Sequence, residues 1–314
     1  VSAAAPTGEA VRSAARLIAP HVHRTPVMTS STLDRELGAR VFFKCENFQK
    51  VGAFKARGAV HAVLLLDERA AARGVITHSS GNHAAALAYA AGIRRIPCTV
   101  VMPDDAPPIK VDAVRGYGAR IVFCKRAERR VACDRLREEQ GSTLIHPFED
   151  PAIIAGQGTA AHELLEQVPD LDVVIAPVGG GGLLAGTAVL VKDVRPDAEV
   201  LGAEPEAADD AFRSLRTGEL QPPPEHPTTL ADGLMTGLGR INFDILRARE
   251  VDIVTVGEEA IVRAGTFLVQ RMKLVVEPSA ATVLAALRRR AGRLGGRRIG
   301  AILSGGNTDL AWLR

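Results

Sequence analysis

Cysteine is sparse in this chain of 314 residues: four in all, Cys45, Cys98, Cys124 and Cys133, with no C-x-x-C pair among them. That spacing excludes a zinc finger, offers no disulfide framework, and suits a reduced, intracellular setting. Charge of one sign is lacking too, since the net balance of +3 is too small to imply a polyanionic partner. The basic run Arg288-Arg289-Arg290, with Arg293, Arg297 and Arg298, has no interleaved aromatics and reads as a solvated helix end, not a nucleic-acid patch. No uninterrupted apolar segment reaches membrane-spanning length, and no basic region followed by an apolar stretch opens the chain. A cytoplasmic protein without nucleic-acid or membrane partners is expected.

What is present has the balance of an α/β enzyme, with 46% hydrophobic and 24% charged residues. The length suffices for one large or two ordinary domains with a substantial core. Short β-rich runs alternate with alanine-rich helical runs, the pattern of a parallel sheet covered on both faces. Strands are expected at 40–44, 74–78, 98–102, 120–124, 142–146, 173–177, 200–203, 251–254 and 299–303. Helices are expected at 82–91, 109–117, 129–140, 157–167, 183–192, 258–273 and 279–291.

Three segments carry chemistry. The first is Asn47-Phe48-Gln49-Lys50-Val51-Gly52-Ala53-Phe54-Lys55-Ala56-Arg57-Gly58. A single lysine is by default a surface residue, but Lys55 has apolar neighbours, and burial favours the neutral amine that attacks an aldehyde. The second, Gly179-Gly180-Gly181-Gly182, follows an apolar strand and opens an apolar helix. Glycines there let several backbone N–H groups approach one anion at a helix N-terminus, so a phosphate site is expected. Neither Gly-Lys-(Ser/Thr) nor a spaced G-x-G-x-x-G is present, which argues against a P-loop and a dinucleotide fingerprint. The third is Ser304-Gly305-Gly306-Asn307, at the end of the last strand. Ser79-Ser80-Gly81-Asn82-His83 also follows a strand and opens a helix, and by physics alone it is an N-cap cluster.

Together these segments resemble the pyridoxal-phosphate enzymes of the tryptophan-synthase-like fold (fold type II), in the serine/threonine dehydratase and serine racemase branch. The resemblance runs from about Arg24-Thr25-Pro26 to Asn307. It implies two open parallel-sheet α/β domains with the cofactor between them. Residues 1–70 and 145–314 would form the large domain, and residues 71–144 a small mobile substrate-binding domain. Lys55 would form the imine with the cofactor, with Phe54 beside it, and Gly179 to Gly182 would hold the phosphate. Ser304 would meet the pyridine nitrogen and Asn82 the ring hydroxyl. A neutral hydroxyl on that nitrogen makes a weaker electron sink and favours loss of a β-substituent. Ser79, Asn82 and His83 would bind the substrate carboxylate, Arg129 would meet the substrate region, and Ser80 would be the acid on the face opposite Lys55. Glu204, the carbonyl of Ala208 and Asp210 match a divalent-cation site, suited to magnesium, calcium or manganese.

The implied activity is a dehydratase (ammonia-lyase) acting on a 3-hydroxy L-amino acid such as serine, threonine or 3-hydroxyaspartate, in a homodimer. Racemisation through Ser80 is the alternative in the same class. Cysteine-synthase-type β-replacement and a non-catalytic binding protein are further alternatives. The chain departs from the family pattern at Ala53, usually serine, and at Ala84-Ala85, where a glutamine helps form a nucleotide effector site in eukaryotic racemases. His146-Pro147-Phe148 carries phenylalanine, as threonine dehydratases do, where animal racemases have asparagine. No carboxyl-terminal regulatory domain is expected.

Overall fold

A computed structural model describes residues 4–79, 81–106 and 108–313. Its strands, in chain order, are β1 (Val27–Met28), β2 (Arg40–Cys45), β3 (Val75–His78), β4 (Cys98–Pro103) and β5 (Arg120–Cys124), followed by β6 (Thr143–Leu144), β7 (Val173–Pro177), β8 (Glu199–Pro205), β9 (Asp252–Val256) and β10 (Arg298–Leu303). Among the described residues they form two sheets. One is six-stranded in the order β1-β2-β10-β7-β8-β9, and the other is four-stranded in the order β5-β4-β3-β6. Every pairing is parallel except β1 on β2. Helices cover both faces of the larger sheet, so β7 is buried along its whole length and reads as an unbroken apolar run.

The sequence places these elements well and misses a few ends. Residues 142–146 shorten to Thr143–Leu144 because the chain turns at His146, whose Nδ1 accepts the Glu149 N–H at 2.9 Å. The helix expected from 157 begins at Pro151, where Asp150 caps it by accepting the Ala152 N–H at 2.7 Å. Helices Gly8–Ile18, Ser31–Leu37, Lys55–Leu64, Glu68–Arg73, Asp210–Thr217 and Arg240–Ala248 are additional. The basic run is consumed by ion pairs of Arg288 with Glu36, Arg289 with Glu206 and Arg290 with Asp252. All four cysteines are free thiols, and no described helix is long and apolar enough to cross a membrane.

The Lys55–Leu64 helix lies between the two sheets. Ala59, Val60 and Val63 pack into the core that also holds Val75 and Val100 of the smaller sheet. On its other side Gly58 meets Gly156 of the Pro151–Gln167 helix, where an added Cβ would lie 2.6 Å from the Gly58 Cα. Further along that helix, Gly158 meets Gly186 of the Gly182–Val194 helix, with only 2.7 Å between an added Cβ and the Gly186 carbonyl oxygen. These two close crossings hold the lysine helix and the helix after the glycine loop at fixed separations from their common neighbour.

Arg57 anchors that helix electrostatically. Its side chain is fully buried, and it donates to Glu46 from Nε at 2.7 Å and Nη2 at 2.8 Å. It also donates to Glu163 from Nη1 at 2.8 Å and Nη2 at 2.9 Å. Burial opposes its charge, but the two carboxylates hold the guanidinium above its ordinary pKa. Lys44, equally buried, donates to Glu163 at 2.6 Å and to the Thr25 carbonyl at 2.8 Å, so two cations meet two carboxylates. Replacing Arg57 by methionine strands Glu46 and Glu163 without that partner and should cost about 3–5 kcal/mol. Denaturant unfolding of Arg57→Met checks this, and a change within error of zero contradicts it.

Candidate active site

Three neighbouring strands of the large sheet, β2, β10 and β7, deliver the lysine segment, Ser304 and the tetraglycine at their carboxyl ends. Parallel α/β sheets bind ligands at that edge. Main-chain contacts stitch the lysine segment to the serine loop. The Phe54 N–H donates to the Ser304 carbonyl at 2.9 Å, Ala53 forms an antiparallel bridge with Gly305, and the Gly306 N–H donates to the Gly52 carbonyl at 2.9 Å. Lys55 therefore starts its helix beside Ser304 by backbone geometry alone.

The Lys55 side chain is half-buried, and its Nζ donates to the Pro147 carbonyl at 2.8 Å and lies 5.1 Å from the centre of the Phe54 ring. Burial lowers its pKa to about 8, with the Glu277 carboxylate pulling the other way. An amine so placed switches between nucleophile and ammonium near neutral pH.

The residues fit an anionic, ring-bearing group. Gly179 to Gly182 are buried, and their amide N–H groups have no hydrogen-bond partner among the described residues. Buried unpaired amides are rare, and four at the start of a helix form a ready anion cradle. Side chains are excluded from it, because a Cβ on Gly180 would lie 2.3 Å from the Phe148 ring, and Gly181 has φ +92°. Asn242 props the loop by donating to the Gly180 carbonyl at 2.6 Å and the Phe148 carbonyl at 3.0 Å. The Ser304 hydroxyl is 2% exposed and unpartnered, a buried polar group awaiting an acceptor or donor.

The turn after β3 supplies the opposite wall. Ser79 is half-buried and accepts the Gly81 N–H at 3.3 Å. Ser80 lies outside the described residues. His83 is buried, and its Nε2 faces the Ile145 carbonyl at 3.1 Å while Nδ1 has no partner. Burial, then the Lys55 charge, lowers its pKa to about 3, so the imidazole is neutral and offers an anion only its main-chain N–H. Arg129 opens the Arg129–Gln140 helix, half-buried, with Nε unpartnered. Its charge reinforces burial in lowering the pKa of His78 at the end of β3. His78 packs edge-on to His146 at 6.1 Å, and His146 to Phe148 at 4.7 Å. Burial, His78 and Lys55 hold His146 neutral, with a pKa of about 4.

The acidic loop after β8 is separate from this wall. Glu204 is 1% exposed and accepts the Ala211 and Phe212 N–H groups at 2.9 and 2.8 Å, and burial raises its pKa to about 8. Asp210 accepts the Leu238 N–H at 2.7 Å and is also raised by burial. Ala208 ends the short turn between them. Among the described residues no group of three or more His, Cys, Asp or Glu side chains is arranged to hold a metal ion, and the expected set has only two carboxylates and one carbonyl.

The family described as pyridoxal-phosphate dependent enzyme matches residues 18–305. The chain belongs to that family. Its cofactor is pyridoxal phosphate, and its fold is the tryptophan synthase β-like one of fold type II. A crystal structure of serine racemase from Dictyostelium discoideum superposes with a TM-score of 0.94 at 45% identity, covering 98% of this chain and 100% of that one. A crystal structure of threonine deaminase from T.th. has a TM-score of 0.92 at 48% identity, covering 97% of this chain and 99% of its own. A beta-hydroxyaspartate dehydratase of Paracoccus denitrificans is 45% identical over 97% of both chains.

Sequence reasoning missed Glu277, Asn242 and the Pro147 carbonyl. Glu277 is 5% exposed and accepts from Asn82 Nδ2 on both oxygens, at 3.1 and 3.0 Å. The only local signal, a glutamate before Pro278 at a helix start, reads as capping. Gly180→Ala should drive the cradle against Phe148 and weaken pyridoxal phosphate binding about tenfold or more. Titration of the cofactor-free protein measures this, and an unchanged dissociation constant overturns the assignment of the cradle.

Proposed function

We propose that the protein is a pyridoxal-phosphate-dependent dehydratase that converts a 3-hydroxy L-amino acid, of the serine, threonine or 3-hydroxyaspartate type, to a 2-keto acid and ammonia. The observation that carries this reading is the Lys55 amine, held near pKa 8 beside an unpartnered Ser304 hydroxyl and a cradle of free amides. The activities for which the relatives are named, dehydratase, deaminase and racemase, all begin with removal of an α-proton. When bound, pyridoxal phosphate would supply an electron-withdrawing ring that acidifies the substrate α-proton.

In this reading Gly179 to Gly182 hold the phosphate, Ser304 meets the ring nitrogen, and Phe54 and Asn82 flank the ring. Ser79, with the N–H groups of Asn82 and His83, binds the substrate carboxylate at the start of the Asn82–Arg94 helix. Arg129 faces the substrate from the start of the Arg129–Gln140 helix. Lys55 would hold the cofactor at rest, and its amine, once freed, would take the substrate α-proton. The β-hydroxyl would leave as water with a proton returned to it, so that α-proton and hydroxyl together balance the water lost. The enamine would hydrolyse to the keto acid and ammonia. Residues 71–144 close over the substrate as a mobile domain against residues 1–70 and 145–314. A cytoplasmic homodimer belongs to the same reading.

Racemisation is the second reading, favoured by the similarity to serine racemase. It needs an acid on the face away from Lys55, and Ser80 is the assigned group. Glu204, Asp210 and the Ala208 carbonyl form the proposed cation site. Burial raises the pKa of both carboxyl groups, and a divalent cation beside them would favour their ionised forms.

A panel of L-serine, L-threonine and 3-hydroxyaspartate, assayed for keto acid and for chirality, tests both readings. Keto acid should form from at least one of them, and Lys55→Ala should reduce it to background. D-product without keto acid would replace the dehydratase reading by the racemase one. Magnesium or calcium should raise the melting temperature and chelator lower it, with no response in Asp210→Ala. A wild-type protein indifferent to both removes the cation site.

A further inference from the structure

Glu277 is a buried carboxyl that the proposed chemistry leaves unused, and three distant segments converge on it. It precedes the Pro278–Arg289 helix, and its own N–H donates to the Gly305 carbonyl at 3.0 Å. Gly305 gives it room, since a Cβ there would lie 2.8 Å from Glu277 Oε1. The one side chain that donates to its two oxygens is Asn82, through the amide nitrogen, the Asn307 main chain also acting on the carboxylate, and Asn82 Oδ1 accepts from Asn307 Nδ2 at 2.9 Å. Asn307 Nδ2 also donates to the Val51 carbonyl at 2.8 Å, so both of its N–H groups are committed. The orientation of the Asn82 carboxamide is therefore dictated from both ends.

The two N–H bonds of an amide diverge too widely to reach one carboxylate together at nearly equal distances. A single Asn82 N–H therefore serves both Glu277 oxygens, and the second remains free. We propose that Glu277 is a positioning residue of this site: its carboxylate fixes the Asn82 carboxamide so that the free N–H faces the ring hydroxyl of bound pyridoxal phosphate. This rests on the reading of Asn82 as a cofactor ligand. Burial raises the Glu277 pKa to about 7, with the Asn82 hydrogen bond opposing that rise. The charged groups acting on it from other elements are Asp232, which adds to the rise, and Lys110, which opposes it, and these two pair with each other; the Glu277 charge in turn acts on Lys55.

The test compares Glu277→Ala, Glu277→Gln, Asn82→Ala and the Glu277→Ala/Asn82→Ala double variant. Three quantities are read: the pyridoxal phosphate dissociation constant, the melting temperature, and the pH titration of the bound cofactor's absorbance. Asn82→Ala and Glu277→Ala should each weaken cofactor binding about tenfold, and the double variant should be no weaker than Asn82→Ala alone. Glu277→Gln keeps an acceptor for Asn82 and should bind within about threefold of wild type. Having lost a negative charge one hydrogen bond away from the Asn82 amide at the ring hydroxyl, it should move the absorbance transition to lower pH by about one unit. Losses that multiply in the double variant, or a Glu277→Gln transition at the wild-type pH, overturn the proposal. If Asn82→Ala binds as wild type does, the reading of Asn82 is what failed, and the proposal falls with it. Should Glu277→Ala not fold, the Glu277→Gln transition decides alone.

Discussion

The site depends on the buried meeting of Arg57 and Lys44 with Glu46 and Glu163. Arg57 stands two residues after Lys55, and its forked guanidinium ties the lysine helix to the segment after β2 and to the Pro151–Gln167 helix at once. A buried guanidinium is tolerated only when its donors are satisfied in fixed directions. Satisfaction here requires two carboxylates from separate elements, so the helix cannot rotate or slide without breaking the set. Lys55 is placed by an ionic lock two residues away.

The glycine crossings extend that constraint to the other half of the site. Gly58 on Gly156 and Gly158 on Gly186 link the lysine helix to the helix that begins in the cradle. The Asn242 amide then holds the loop itself, bonding Gly180 on one side and the Phe148 carbonyl on the other. Phe148 covers the glycines, and the Pro147 carbonyl next to it receives Lys55. Amine and anion site are thus tied through His146-Pro147-Phe148, a stretch whose histidine is kept neutral by its surroundings.

Much of this was legible in the sequence because the signals are local. A strand, a glycine run and an apolar helix in immediate succession define the cradle, and the lysine motif is a contiguous segment. The parallel sheets around them followed from alternation of strands and helices. The short antiparallel β1 escaped, since two residues, Val27 and Met28, carry no periodicity. Gly156 and Gly158 disguised the first turns of their helix as a loop, although Asp150-Pro151 marked its true start. Glu277 could not be read at all, because its role exists only where residues 82, 277 and 305 meet in space. The acidic loop was visible as composition, but its carboxylates proved to be occupied by backbone N–H groups, those of Ala211 and Phe212 on Glu204 and that of Leu238 on Asp210.

The stitch between the lysine segment and the serine loop is made by main-chain atoms: Phe54 to Ser304, Ala53 with Gly305, and Gly306 to Gly52. Its dimensions are therefore indifferent to most side-chain replacements nearby. A scaffold of this kind separates what must stay fixed from what is free to change. Proteins similar to this chain are named both as racemases and as dehydratases, and a stitch of main-chain atoms could serve either kind of lining.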